Sequence, residues 1–238
     1  ARFLFVDFLR IMIRRLAILG FAALLGACSQ AHNDPVARGK AQFASYQCNK
    51  CHQVGSGGAH LGPDLTMVGY RKTAEFLDTW LKNPQKWKRN VSMPNFYFQD
   101  SVRKDLVAYL SSLKGQDWQG KRPWDGHEGV EKGKLIYEHA GCITCHNKGG
   151  VGGYPNNNVV GGEIPKINGV KTTYSKDELL EKIHLGVPSP AKKDLSGEAP
   201  LLYMPSWGKD GVLTKEEIEA VADYLFSLAP AGASGDEW

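Results

Sequence analysis

Two copies of the motif Cys-x-x-Cys-His stand 94 residues apart in this chain of 238 residues, at positions 48–52 and 142–146. The flanking residues repeat at the same offset, as Gly39 and Gly133 show. A self-similar chain of this length predicts two domains of one fold. The motifs use four of the five cysteines, so no set remains for a disulfide framework.

The spacing of the motif suits covalent attachment of haem. Two thiols three residues apart share one face of a helical turn, so each can add to one vinyl group of the same haem. A Cys-x-x-Cys pair is also typical of zinc sites and of thioredoxin-like redox pairs, but the adjoining histidine and the second copy favour haem. We therefore predict two covalently bound c-type haems, attached at Cys48, Cys51 and His52 and at Cys142, Cys145 and His146.

Two methionines are candidates for the sixth iron ligand. Met93 and Met204 each precede a proline and each lie between a haem motif and the last helical stretch of their half. Methionine is ordinarily a core filler, but the matched placement favours ligation, which raises the potential of a haem. Met67 has no counterpart and is predicted to pack in the core, and His184 is an alternative ligand to Met204.

Local signals predict an all-α fold. Asp34 followed by Pro35 is typical of the start of a helix. Ser175 and Thr214 each precede a glutamate by three residues and predict capping boxes. Apolar residues recur on one helical face at the end of each half, and no sustained alternating run indicates a sheet.

Each half resembles a class I cytochrome c, and the resemblance covers nearly all of residues 35–229. It implies three main helices around one haem in each domain. It also implies that Gly39 meets the terminal helix at Tyr109 and that Gly133 meets it at Tyr224, because glycine allows close helix approach. Two fused domains are similar to the cytochrome c4 group and to the dihaem subunits of respiratory oxidases and dehydrogenases.

The same resemblance assigns a role to a proline after each motif. In class I cytochromes c the carbonyl of such a proline orients the proximal histidine. Pro63, within Leu-Gly-Pro-Asp-Leu, would orient His52, and Pro165 would orient His146 on a looser match.

The N-terminal part is typical of a targeting segment. From Met12 the chain reads MIRRLAILGFAALLGAC, a basic start and an apolar stretch too short to span a bilayer. Its last four residues resemble the bacterial lipoprotein cleavage box, which implies a lipid on Cys28 and a location on the periplasmic or cell-surface face of a bacterial membrane. A true start at Met12 and a longer helical anchor over residues 3–27 are both open alternatives.

Composition shifts suggest how the chain is divided. Residues 149–162, rich in Gly and Asn, predict a loop insertion in the second half that is solvated, with a partner-docking loop as the alternative. The predicted segments are a signal peptide 1–27, a lipid-anchored tether 28–34, a first domain 35–114, a linker 115–126, a second domain 127–229 and a C-terminal tail 230–238.

The expected function is the relay of single electrons in a bacterial respiratory chain. Without residues 1–27 the chain has 25 Lys and Arg against 24 Asp and Glu, so no basic field argues for nucleic acid. Expected partners are a quinol-oxidising complex, a terminal oxidase or a periplasmic dehydrogenase or reductase. Two irons with both axial positions filled predict a carrier rather than an enzyme. The alternatives are a peroxidase-like or thiosulfate dehydrogenase-like haem enzyme and a haem-based sensor.

Overall fold

The computed structural model describes residues 33–228, which form two helical domains. The predicted signal peptide, Cys28 and the tail 230–238 lie outside these residues. The first domain contains helices α1 (Pro35–Ser45), α2 (Val68–Arg71), α3 (Ala74–Lys82), α4 (Pro84–Trp87) and α5 (Asp100–Ser112), and a short antiparallel hairpin of β1 (Gln53–Val54) and β2 (Gly57–Gly58). The second contains α6 (Gly129–Ile136), α7 (Ile143–His146), α8 (Lys176–Leu185) and α9 (Lys215–Ser227), with a π-helical turn at Tyr137–Gly141.

The predicted start signals begin the main helices. The Asp34 carboxylate accepts a hydrogen bond from the backbone N–H of Val36, and α1 starts at the adjoining proline. Ser175 and Thr214 cap α8 and α9, and both capping boxes are complete. Each cap pairs backbone N–H groups that the start of a helix would leave unpaired. The caps therefore fix the residues at which α1, α8 and α9 begin.

The first and last helices of each domain cross at a glycine. A side chain on Gly39 would collide with the backbone carbonyl of Asp105 in α5, and one on Gly133 would collide with that of Ala220 in α9. Glycine at these positions therefore lets the helix backbones approach within contact distance. Aromatic rings pack at both crossings, with centroids 5.5 Å apart for Phe43–Tyr109 and 5.3 Å apart for Tyr137–Tyr224.

The segment between the domains is part of a hydrophobic core formed by the second domain together with Met67 of the first. Trp118 and Trp124 are 8% and 1% exposed, and their rings pack edge to face. The indole N–H of Trp124 donates to the carboxylate of Glu217 at 2.8 Å, and Arg122 forms an ion pair with the same carboxylate. Burial of two large aromatic side chains stabilises this segment against α9, so the chain crosses between the domains without a loose tether.

The glycine-rich insertion is also packed. Asn156 is buried and exchanges two hydrogen bonds with the backbone of Leu202, at 3.0 and 3.1 Å. The indole N–H of Trp87, in the first domain, donates to the carbonyl of Pro155. The prediction of a solvated insertion is therefore wrong for this part of residues 149–162. The Asn156 amide pairs with backbone groups of Leu202 that water would pair with if the loop were solvated.

Candidate functional site

A proline carbonyl holds the imidazole of each motif histidine. Nδ1 of His52 lies 2.9 Å from the carbonyl oxygen of Pro63, and Nδ1 of His146 lies 3.2 Å from that of Pro165. A carbonyl only accepts, so Nδ1 carries the proton and Nε2 keeps its lone pair for a metal ion. Burial lowers the pKa of both imidazoles and so favours the neutral form that a metal requires.

A cavity of about 340 Å³ lies inside the second domain. Cys142, Cys145 and His146 line it together with Met204, so one cavity collects all four side chains that the sequence assigned to this haem. Its volume falls in the range of small-molecule and cofactor sites, roughly 300–1,000 Å³. Most of the remaining wall is apolar and includes Ile183, Leu202, Trp207, Leu213 and Val221.

Backbone pairing fixes the position of Met204. Its N–H and carbonyl both pair with Val187, at 3.2 and 2.8 Å, in an isolated antiparallel bridge. The following residue, Pro205, is buried, and Gly186 packs so closely against its carbonyl that a side chain there would collide. The methionine is therefore presented to the cavity from a rigid segment after α8.

Met93 in the first domain has a different environment. It packs, together with Cys48, against the apolar core between α1, α3 and α5. The indole N–H of Trp80 lies 3.1 Å from the Met93 sulfur, and the Gln85 side chain donates to the Met93 carbonyl at 2.6 Å. Within residues 33–228 no side chain donates to the sulfur of Met204. The two candidate sixth ligands therefore differ at the sulfur, because the Met93 sulfur accepts a hydrogen bond from Trp80.

The Trp80 contact leads to a prediction about the first haem. With Met93 as the sixth ligand, a hydrogen bond to the thioether would withdraw electron density from the sulfur, weaken its donation to ferric iron and raise the potential. We expect Trp80→Phe to lower the midpoint potential of that haem by on the order of 40 mV, since a neutral hydrogen bond contributes about 1 kcal/mol. Redox titration of the haem-loaded protein checks this, and an equal shift at the second haem would contradict it.

The surroundings of the motif thiols set their pKa values before haem is attached. Burial raises the pKa of the Cys48 thiol to about 11 and that of Cys142 to about 12, so both stay protonated at neutral pH. At Cys145 burial also acts to raise the pKa, but the nearby Lys72 and Arg71 outweigh it and lower the pKa. No group of three or more His, Cys, Asp or Glu is placed to hold a metal ion in the described part of the chain.

Two residues weighed in the sequence have clear positions. Met67 is 3% exposed and packs with Trp118 and Trp124, as the core prediction for it required. His184 is exposed on α8 and does not line the cavity, so the structure gives no support to its replacing Met204 as a ligand.

Comparison with known proteins identifies the family. The model of the cytochrome c family matches the chain twice, at residues 36–114 and 130–229, so this chain belongs to the cytochrome c family and has two cytochrome c domains. The cbb3-type cytochrome c oxidase subunit CcoP of Helicobacter pylori is 25% identical over 185 residues, which cover 77% of this chain and 55% of that protein. The subunit FixP of Bradyrhizobium diazoefficiens is 34% identical over 136 residues, which cover 55% of this chain and 40% of that protein. The chain spans about half the length of the curated relatives it matches.

Two haem c groups are bound covalently, one in each domain. The residues of the structure fit this cofactor, because each domain offers two thiols and an imidazole with its Nε2 free, and the second encloses them in an apolar cavity. The bound haem supplies a one-electron iron couple. The protein attaches it, orients the histidine through the proline carbonyl and excludes water with the apolar wall.

Three side chains near these sites were not predicted from the sequence. Trp80 lies with Phe76, Leu77 and Leu81 in an apolar stripe that predicts core packing, and the sequence gives no separate signal for its indole nitrogen. Arg71 and Lys72 lie at the end of α2 and are only 4% and 6% exposed. Their side chains contact Thr144 and Cys145 of the second haem motif. Basic residues are ordinarily solvated, and no local pattern marks these two as buried.

Proposed function

We propose that the protein relays single electrons between redox partners of a bacterial respiratory chain through its two haems. The observation that carries this proposal is the cavity of the second domain, which His146 and Met204 line together with both thiols of the motif. An iron held by both side chains keeps no coordination position for a substrate. Electron exchange then needs no ligand to leave, so a carrier is favoured over a haem enzyme or a gas sensor.

The ligand assignment is part of this proposal. We assign His52 and Met93 to the iron of the first domain and His146 and Met204 to that of the second. The proline contacts at 2.9 and 3.2 Å support the histidine assignment, because they point Nδ1 away from the iron. The thioether and imidazole pair raises a haem potential, which suits delivery of electrons to a high-potential acceptor.

The named relatives support a partner. Both CcoP and FixP are subunits of cbb3-type cytochrome c oxidases. We propose a terminal oxidase as the electron acceptor of this protein, either as the complex it belongs to or as the complex it serves. A quinol-oxidising complex or a periplasmic dehydrogenase would then stand on the donor side.

Attachment at a membrane surface is proposed through a lipid on Cys28. None of the helices within residues 33–228 is long and apolar enough to cross a bilayer. The six residues between Cys28 and Pro35 would reach roughly 20 Å when extended, at about 3.5 Å per residue. That reach keeps the first domain close to the membrane, where a membrane-bound oxidase is accessible.

Optical spectra test the relay directly. The haem-loaded protein, oxidised and reduced, is recorded with and without carbon monoxide. We expect a methionine-to-iron band in the oxidised form and no spectral change with the gas, because both axial positions of each iron are filled. Carbon monoxide binding by the native protein would mean an open iron, and a haem enzyme or a haem-based sensor would replace the relay.

A further inference from the structure

Tyr70, in α2 of the first domain, contacts the segment of the second domain that carries Met204. Its hydroxyl lies 3.1 Å from the backbone carbonyl oxygen of Ser206 and 3.0 Å from a carboxylate oxygen of Asp210. Burial raises the pKa of Tyr70, so the hydroxyl keeps its proton and donates to these acceptors. In the opposite direction, the hydroxyl of Tyr203 donates to the backbone carbonyl of Tyr70 at 3.1 Å. Hydrogen bonds therefore run both ways between the domains, on either side of Met204.

The ring of Tyr70 packs against Trp207. The two ring centroids are 5.1 Å apart and the planes meet at 60°, an edge-to-face arrangement that contributes beyond the area it buries. Trp207 is 3% exposed, lines the haem cavity and follows Met204 by three residues. Its backbone N–H donates to the carbonyl of Pro205 at 3.1 Å. The contacts of Tyr70 therefore bracket the methionine and its proline along the chain.

The end of α8 holds the same segment within the second domain. The hydroxyl of Ser206 donates to the carbonyl of Leu185 at 2.8 Å. The backbone N–H groups of Gly208 and Lys209 donate to the carbonyl of His184, at 3.2 and 3.0 Å. The segment is thus fastened by its own domain and, through Tyr70, by the first domain as well.

The candidate ligand of the first haem is held differently. Within residues 33–228 the side chains that hydrogen-bond to Met93 are those of Trp80 and Gln85, and both belong to its own domain. Only the Met204 segment receives such contacts from the other domain in the described part of the chain. The two sixth ligands therefore differ in their dependence on the domain interface.

We propose that Tyr70 is a positioning residue that keeps Met204 on the iron of the second haem, so that docking of the first domain keeps that iron closed. This inference rests on the ligand assignment of the proposed function and deepens it. A thioether leaves the iron only when the backbone that carries it moves, and Tyr70 stabilises the position in which the thioether is bound. Removing its contacts raises the population in which the iron–sulfur bond is broken, with no change in oxidation state.

The test is a titration of the oxidised, haem-loaded full chain with imidazole, followed by the methionine-to-iron band. An imidazole nitrogen takes the place of the thioether, so its apparent affinity follows the fraction of open iron. Tyr70→Phe keeps the ring and removes the hydroxyl, and we expect the affinity at the second haem to rise about fivefold. Tyr70→Leu also removes the ring packing, and we expect a rise of roughly thirtyfold. Should Tyr70→Leu not fold, Tyr70→Phe alone decides the test.

Three comparisons assign the effect. Met204→Ala identifies which of the two imidazole transitions belongs to the second haem, and the transition of the first haem is the internal reference. Tyr70→Leu added to Met204→Ala should change the affinity no further, because Tyr70 acts through the methionine. Trp87→Phe is the matched control: it removes another hydrogen bond between the domains, the one to the Pro155 carbonyl at 3.1 Å, and should leave the affinity near that of the native protein.

Hydrogen exchange gives a second readout that does not depend on an added ligand. The amides of Met204, Gly208 and Lys209 are paired with the end of α8 and should exchange faster in Tyr70→Leu than in Trp87→Phe. Faster exchange confined to these amides supports a local opening of the segment.

Three results count against the inference. An unchanged second transition in both Tyr70 variants, with Met204→Ala raising it, would leave Tyr70 a packing residue only. An equal rise in Trp87→Phe would assign the effect to domain docking in general. An unchanged second transition in Met204→Ala would remove the ligand assignment itself, and the inference with it. Because imidazole replaces any protein partner in this test, failure of the proposed relay to an oxidase would leave the result on Tyr70 intact.

Discussion

A protein in which alanine replaces both Cys142 and Cys145 is expected to carry one haem instead of two and to lose the stable fold of its second domain. The core of that domain surrounds the cavity of about 340 Å³, so without haem its apolar wall has no partner. At about 24 cal/mol per Å³, leaving this space empty costs at most about 8 kcal/mol. That is comparable with the whole stability of a typical domain, roughly 5–15 kcal/mol.

Intact mass gives the number of haems attached to each variant, and hydrogen exchange locates the loss of structure. Amides of α6 and α9 are expected to exchange freely while those of α1 and α5 keep their protection. Ile143→Val, a conservative change between the same two cysteines, serves as the matched control and should retain both haems. Persistent protection of α9 in the one-haem protein would show that the second domain folds without its cofactor.

Much of the fold could be predicted because its signals are local. The caps at Asp34, Ser175 and Thr214 depend on residues within three positions along the chain, and each begins a helix as predicted. The glycine crossings followed from the family resemblance, and a side chain at Gly39 or Gly133 has no room. A covalent attachment motif likewise lies within five consecutive residues, so it is visible without knowledge of tertiary structure.

The contacts between distant segments could not be predicted. Arginine is a residue type usually found at the surface, yet Arg71 is buried where it contacts the second haem motif. Trp118 and Trp124 lie in a stretch with the glycine and proline of a linker, yet they enter the core of the second domain. Asn156 lies in an insertion typical of a solvated loop and instead pairs with Leu202. In each case the burial is decided by a partner more than forty residues away or in the other domain.

Met204→Ala is expected to open the iron of the second domain. Among residues 33–228, Met204 is the only methionine that lines the cavity, and His184 does not line it. We therefore expect no described side chain to take the place of the methionine. Axial ligands set haem potentials over about 0.8 V. Loss of the thioether should therefore lower the potential of this haem by a few tenths of a volt, because the soft sulfur favours ferrous iron.

Carbon monoxide separates this effect from simple destabilisation. The reduced Met204→Ala protein should bind the gas at one haem, and the methionine-to-iron band should fall to about half, since we propose that Met93 ligates the other iron. Met67→Ala is the matched control: it removes a buried methionine that packs with two tryptophans, so it should cost about 2–5 kcal/mol of stability and leave both haems closed to the gas. A Met204→Ala protein that stays closed would assign the sixth ligand to another residue, and the symmetry between Met93 and Met204 would no longer describe the two sites.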